Sequence, residues 1–316
     1  MEAELRGWAR RRGFAVAWGP AGVLPLARRV VQWQRRTGKI DERFASRHLS
    51  FARGRPPRGW QALVVAMPRP AHSVGFVTSG RRIQALFPPT YERYLRTFED
   101  VRCDLAEGPL KGCELAVAAA PLKTAASLLG LVRYGRNNLT YAAGMGSYLQ
   151  LLGYVTNARL RVPPDWRPCV PRLLDECDGC RICEARCPTG AISSERVLLR
   201  AELCLTLANE TPGPWPSHVP SGVHHCLIGC LSCQRDCPAN PELPVVESGV
   251  EFSEAETRAL LDGRSRTGCV REAIGRKLDL LGQPCQEEVI GRNLRALSAD
   301  RVDPAAGTMC GACGSA

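Results

Sequence analysis

The sequence predicts a mixed α/β (α+β) chain in three parts: a layered N-terminal domain over residues 1–165, a cysteine-dense unit over 166–245, and helices with a tail over 246–316. Three observations lead there. Apolar runs suited to buried strands alternate with segments of helical periodicity. A proline-rich stretch, Arg161-Val-Pro-Pro-Asp-Trp-Arg-Pro168, then precedes two crowded spots that hold eight of the sixteen cysteines. Beyond Pro244 the helical period returns.

Residues 2–13 read as a short helix with Leu5 and Trp8 on one side. A second helix over 22–36 begins near Pro25, and Leu26, Val30 and Trp33, at i, i+4 and i+7, make its core stripe. Residues 40–59 are polar and arginine-rich and end in Gly54-Arg-Pro-Pro-Arg-Gly59, which is loop chemistry. Trp60-Gln-Ala-Leu-Val-Val-Ala-Met67 runs apolar into Pro68, as a strand buried on both faces does. A helix over 90–106 takes Tyr91, Tyr94, Leu95 and Phe98 as its apolar side. Glu114-Leu-Ala-Val-Ala-Ala119 is a second buried strand, and Pro121 opens a helix through about Val132. Ser147-Tyr-Leu-Gln-Leu-Leu-Gly-Tyr-Val155 is the third strand. After Pro244 the chain turns helical, with Ser253 and Glu256 as a capping box and amphipathic segments over 268–281 and 286–297.

At 45% hydrophobic residues the chain can build a full core, which excludes a disordered tether. No apolar run approaches the ~20 residues of a membrane span. Met1-Glu-Ala-Glu-Leu-Arg-Gly-Trp8 lacks the basic-then-apolar layout of a secretory signal. Free thiols suit a reducing cytoplasm. The net charge of +11 is one-sided: residues 1–100 carry 19 Lys+Arg against 7 Asp+Glu, and the rest carries 23 against 24. Such a field suits an anionic partner, nucleic acid first. Solvated arginines on helix faces are the plainer account.

The cysteines carry the chemistry. Cys177-Asp-Gly-Cys180-Arg-Ile-Cys183-Glu-Ala-Arg-Cys187-Pro188 is the C-x2-C-x2-C-x3-C-P run of bacterial two-cluster ferredoxins. Cys226-x3-Cys230-x2-Cys233-x3-Cys237-Pro238 repeats it with one extra residue at the front. In such runs three cysteines grip one [4Fe–4S] cube, and the fourth, before proline, reaches the other. Cys177, Cys180, Cys183 and Cys237 therefore serve one cluster. Cys230, Cys233 and Cys187 serve the second, with either Cys226 or Cys204 as the eighth ligand. Zinc accepts C-x2-C pairs, but a zinc ribbon rarely adds the third step and the Cys-Pro ending twice. A disulfide framework needs an oxidising compartment and usually a short chain. His224 and His225, beside Cys226, suit packing or hydrogen bonding around the second cluster. Cys103, Cys113, Cys169, Cys269 and Cys285 read as inert thiols. Cys310 and Cys313 form a C-x2-C in a small-residue tail, either redox-active or without function.

From Cys187-Pro-Thr-Gly-Ala-Ile192, through Glu202-Leu-Cys204-Leu-Thr-Leu207, to Gly229-Cys-Leu-Ser-Cys-Gln-Arg-Asp-Cys-Pro-Ala-Asn240, the chain resembles the epoxyqueuosine reductase family. That likeness favours Cys204 as the eighth ligand. Tyr134-Gly-Arg-Asn-Asn-Leu139 and Gly144-Met-Gly-Ser-Tyr148 resemble the family's Gly-Lys-Asn turn and Gly-Ser strand start, which marks Arg136, Asn137, Gly146 and Ser147 as cofactor-binding. The resemblance implies a nitroreductase-like N-terminal domain that holds a cobalamin, covered by a ferredoxin-like domain with two [4Fe-4S] clusters. It implies an oxidoreductase that deoxygenates epoxyqueuosine in tRNA, fed by an external low-potential electron donor, with no membrane partner.

One departure stands out. The family's Asp-x-x-Pro element, whose carboxylate is thought to protonate the leaving oxygen, is Ala118-Ala-Ala-Pro121 here. Tyr134 and Tyr141 are the nearest replacements by sequence. The alternatives are a different substrate, an electron-transfer protein that re-reduces a partner's corrinoid, or a flavin in the α/β domain.

Overall fold

The computed structural model describes residues 1–302 apart from 52–53, 55, 196–197 and 264–267, so Cys310 and Cys313 lie outside the described residues. The chain opens with helix α1 (Glu2–Arg11) and strand β1 (Ala15–Pro20). Helices α2 (Val23–Arg36) and α3 (Glu42–His48) follow, then strands β2 (Gln61–Pro68), β3 (Ala71–Thr78) and β4 (Arg81–Phe87). Next come α4 (Tyr94–Glu107), β5 (Leu115–Val117), α5 (Leu122–Leu128), the short pair β6 (Arg133–Tyr134) and β7 (Thr140–Tyr141), and β8 (Leu149–Thr156).

Four strands form an antiparallel sheet in the order β1-β2-β8-β5. Residues 62–66 of β2 are wholly buried, and their alternation explains why the run reads as continuously apolar. Ala62, Val64 and Ala66 face Val23, Leu24 and Ala27 of α2 and Ala125 and Leu128 of α5. Leu63 and Val65, with Leu152 and Tyr154, face Leu5 and Trp8 of α1 and Val101 and Leu105 of α4. The sheet is therefore covered by helices on both sides. Roughly 1.5–3 kcal/mol accrues for each large side chain so buried.

Several local expectations need correction. The core face of α2 is Val23, Leu24 and Ala27; Trp33 is 48% exposed and carries Lys39 over its ring at 4.5 Å. Residues 42–48 are helical, because Asp41 caps α3 by accepting from the Phe44 N–H at 2.7 Å. The buried stripe of α4 is Thr97, Val101 and Leu105, while Leu95 is 79% exposed. Strand β5 lies at the sheet edge with Val117 exposed, so it is not buried. Helix α5 stops at Leu128, and Gly130 turns the chain at φ +75.

The cluster-region helices are single turns or little more: α6 (Ile182–Ala185), α7 (Leu205–Glu210) and α8 (Ser232–Arg235). Beyond them the expected helix is preceded by strand β9 (Val245–Phe252), which pairs in parallel with β3. Sheet β4-β3-β9 thus ties residues 245–252 to residues 71–76. Helices α9 (Glu254–Asp262), α10 (Gly268–Leu280) and α11 (Glu287–Val302) close the chain. The capping box forms as read: Ser253 accepts from the Glu256 N–H, and the Glu256 carboxylate accepts from the Ser253 N–H. Phe76, Phe87 and Phe252 pack there with Leu260, Ile274 and Ile290. Among the described residues, no helix is long and apolar enough to cross a membrane.

Candidate functional site

The two cysteine runs fold alike. Gly179 and Gly229 adopt left-handed backbone (φ +67 and +68) immediately before Cys180 and Cys230. A one-turn helix follows in each, α6 with Cys183 and α8 with Cys233. Each then closes with the last cysteine's N–H on a helical carbonyl: Cys187 on Glu184 at 3.2 Å and Cys237 on Gln234 at 3.1 Å. Superposing the runs by these features puts Leu227, not Cys226, opposite Cys177. That is the structural meaning of the extra residue.

The last cysteines are exchanged. Cys177, Cys180, Cys183 and Cys237 line one small cleft, about 20 Å³, with Arg136, Asn137 and Tyr141. Burial, then the nearby Cys177, Cys237 and Cys180, push the Cys183 thiol up to about 11. Cys204 is likewise raised by burial, and the Cys230 and Cys187 thiolates add to this, although Thr206 donates to it. For Cys233, burial is reinforced by Cys230, Cys204, Cys183 and Cys187. Two neighbouring groups of four thiols result, each holding one cysteine from the other run. The raised thiols of Cys183, Cys204 and Cys233 resist ionisation until a cationic metal core offsets the burial and repulsion. An iron–sulfur cube suits four thiols placed around a cleft.

Cys226 is fully buried and packs with Tyr148 and Leu231, and burial first, then the nearby Cys230, raise its thiol against the opposing effect of His225. His225 spends both ring nitrogens on backbone: Nε2 accepts from the Leu231 N–H at 2.9 Å, leaving Nδ1 to donate to the Val223 carbonyl at 3.1 Å. His224 stacks on Trp215 at 4.2 Å. Both histidines act as packing and hydrogen-bonding residues.

The β6–β7 hairpin clamps both loops. Arg136 donates to the carbonyls of Cys177 at 3.0 Å and Cys180 at 3.2 Å. Buried Asn137 donates to the Cys233 carbonyl at 3.0 Å and to the Tyr141 hydroxyl at 2.9 Å. Tyr141 in turn donates to Cys237 Sγ at 3.3 Å, and burial together with that thiol raises its pKa. Gly135 has no room for a side chain: a Cβ would fall 2.5 Å from Asn137 and Tyr141. Ser147 donates from its N–H to Asn240 Oδ1 at 2.7 Å and from its hydroxyl to Gln234 Oε1 at 3.0 Å. A Cβ on Gly146 would clash with Asn240 and Pro241 at 2.4–2.8 Å. Arg136, Asn137, Gly146 and Ser147 are thus engaged with the cysteine loops, and the close approach at Gly146 is to protein.

Lys123 escaped the sequence reading. It begins α5 just past Pro121, and its Nζ donates to the Asn138 carbonyl at 3.1 Å. Its side chain is exposed, yet surrounding protein strips enough water to lower its pKa, while the Cys204 charge offsets part of that. Cys204, a candidate ligand of the second group, is close enough for its charge to reach the ammonium. Tyr134, nearby, shares a hydrogen bond with Thr124 at 3.2 Å, and burial raises its pKa. The signal was a lysine two residues after the proline of an element lacking its carboxylate.

Comparison with known proteins agrees with this geometry. A family model described as a 4Fe-4S double cluster binding domain matches residues 176–240. Epoxyqueuosine reductase of Staphylococcus aureus is 30% identical over 118 residues, 37% of this chain and 29% of that protein. The aligned part is thus under a third of that relative's length. A structure of epoxyqueuosine reductase from Streptococcus thermophilus covers 96% of this chain and 82% of its own at TM-score 0.62 and 15% identity. An epoxyqueuosine reductase crystallised with an epoxyqueuosine-modified tRNA stem loop covers 96% and 82% at TM-score 0.60 and 18% identity. The chain is thus similar in sequence to epoxyqueuosine reductases over part of its length, and similar to them in fold over nearly all of it.

Proposed function

We propose that the chain is an iron–sulfur reductase of the epoxyqueuosine reductase type, removing the epoxide oxygen of epoxyqueuosine in tRNA to leave the alkene of queuosine. The observation that carries this reading is the exchange of Cys187 and Cys237 between two loops seated against the β6–β7 hairpin. Cys177, Cys180, Cys183 and Cys237 hold one [4Fe–4S] cluster; Cys187, Cys204, Cys230 and Cys233 hold the other. Residues 166–245 form the cluster unit between an N-terminal domain (1–165) and a C-terminal segment (246–316). The thiols suit a reducing cytoplasm.

The reaction breaks both C–O bonds of the epoxide, consumes two electrons and two protons, forms the C=C bond and releases water. Bound clusters supply electrons singly from an external low-potential donor. A corrinoid is the further cofactor that the likeness implies. Arg136, Asn137, Gly146 and Ser147, expected to hold it, face the cysteine loops instead and do not fit that role.

The chain's own residues do the positioning and the proton supply. Arg136 and Asn137 fix the two loops relative to each other, so both cysteine groups keep their geometry through redox change. Lys123 holds the proton for the departing oxygen, in place of the carboxylate missing at Ala118-Ala-Ala-Pro121. Tyr141 is committed to Cys237, and Tyr134 to Thr124, which leaves both poorer donors. Exposed Arg10, Arg11, Arg29, Arg36, Arg43 and Arg47 supply the anion-facing charge for tRNA.

The absent carboxylate also favours a second reading, an electron-transfer protein that re-reduces a partner's corrinoid. One assay separates the two. The anaerobically reconstituted, reduced chain is incubated with epoxyqueuosine-bearing tRNA, and the nucleosides are analysed by mass spectrometry. Queuosine should appear, and tRNA affinity should fall as salt rises. Intact, reducible clusters with no conversion overturn the reductase reading in favour of the second.

A further inference from the structure

Far from the β6–β7 hairpin in sequence, a cavity of about 950 Å³ opens between the N-terminal end of α4 and the α10–α11 turn. Its walls are joined, since the Arg93 N–H donates to the Leu281 carbonyl at 3.3 Å and Gln283 Nε2 donates to the Tyr91 carbonyl at 2.9 Å. A Cβ on Gly282 would fall 2.6 Å from the Arg93 backbone, so that seam is tightly closed. The floor is Tyr91.

Tyr91 is also a wall of the second cysteine group. Its ring lies against Gly229, where an added Cβ would come within 2.8 Å of two ring carbons and the hydroxyl oxygen, and Gly229 immediately precedes Cys230. Its hydroxyl donates to Glu210, the last residue of the helix that Cys204 caps. Its phenol also feels the charges of Cys204 and Cys226. One aromatic side chain therefore joins the cavity lining to Gly229, next to Cys230, and to the helix that Cys204 caps.

The cavity mouth has the character of a transient docking face. Leu95 is 79% exposed and Leu280 60% exposed, both on its lining. Arg93, Arg96 and Arg276 accompany them, against Asp279 as the lining's acid. The arginines' own carboxylate neighbours, Glu92, Asp100 and Glu272, sit at 3.8–3.9 Å, beyond hydrogen-bond range. Exposed ion pairs of that kind are weak. Their guanidinium donors can pair with incoming carboxylates, and the leucines give such a partner apolar area to cover. RNA offers little to two aliphatic side chains.

We infer that this cavity is the docking site for an acidic one-electron carrier protein, which delivers electrons to the second cluster past Tyr91. The inference rests on the iron–sulfur reading above. In the transfer the carrier loses one electron, the cluster gains one, and no bond is made or broken. Weak redox encounters use small interfaces steered by charge, and steering of this kind changes association rates by about 10- to 10³-fold.

The test uses the reconstituted full chain and reduced flavodoxin as the acidic carrier, with cluster bleaching followed anaerobically in stopped flow. The wild-type rate should fall as salt rises. R96E/R276E should be reduced at least about tenfold more slowly by flavodoxin at low salt and lose that salt dependence. The wild type and R96E/R276E should be reduced by dithionite at equal rates. Leu280→Asp, an exposed change, should slow flavodoxin and spare dithionite. Flavodoxin rates unaltered by these substitutions overturn the site, as does a loss of tRNA stem-loop binding or of self-association in place of a loss of flavodoxin reduction. Failure of dithionite to bleach the wild type would instead sink the cluster reading.

Discussion

Asn137 reaches across 96 residues to donate its buried amide to the Cys233 carbonyl at 3.0 Å, while its neighbour Arg136 holds the carbonyls of Cys177 and Cys180. Two adjacent residues of one hairpin thus join the two cysteine loops to each other. The clamp makes the hairpin part of the cluster site, although it contributes no sulfur.

Asn137→Ala should cost about 1–3 kcal/mol, because it leaves the buried Cys233 carbonyl and the Tyr141 hydroxyl without their donor. Thermal unfolding of the anaerobic holoprotein measures this. The variant should also release iron to a chelator faster than wild type. Unchanged stability and iron release would remove the clamp from the account.

The eighth ligand gives a direct contrast. Cys204→Ala should lower iron from about eight to about four per chain, since one of two [4Fe–4S] sites loses a thiolate. Cys226→Ala should keep both clusters and lose only packing, roughly 1 kcal/mol for a small buried group. The reverse pattern in iron analysis would exchange their roles.

How much of this was legible in the sequence depended on spacing. The repeated run marks the ligands and the Cys-Pro exchange, but a frame shift of one residue leaves Cys226 and Cys204 equal by spacing. In the fold Leu227 stands opposite Cys177 and Cys226 is buried with Tyr148, which favours Cys204. Strand β2 was readable because both its faces are covered. Strand β9 was not, since Glu247, Ser248 and Gly249 break its alternation and its partner β3 is distant in sequence, with the register shifting between Ser73 and Gly75. The roles of Arg136 and Ser147 depend on loops about 40 and 90 residues away, beyond the reach of local pattern.

Lys123 sets a pH dependence. Desolvation by the surrounding protein lowers its pKa below that of free lysine, with the Cys204 charge opposing in part. The proton is present below that lowered value, so the deoxygenation rate should fall as pH rises through it. Lys123→Met should lose that alkaline limb and slow the reaction by ~10²–10⁴-fold with clusters intact by absorption. A pH–rate profile that the substitution leaves unaltered contradicts the assignment.

Tyr141→Phe deletes the O–H donor to Cys237 Sγ. Hydrogen bonds to cluster sulfurs favour the reduced, more negative state, so the first cluster's potential should become more negative. A contribution of about 1 kcal/mol corresponds to roughly 40 mV for one electron. Redox titration followed by electron paramagnetic resonance reads the change, and a shift to more positive values would oppose the predicted hydrogen bond.

Metal analysis of oxygen-protected wild-type chain bears most directly on the whole account. About eight irons and eight acid-labile sulfides per chain, with a dithionite-reduced resonance spectrum of two interacting clusters, is the predicted result. Four irons or fewer, or zinc bound at these cysteines, would contradict it.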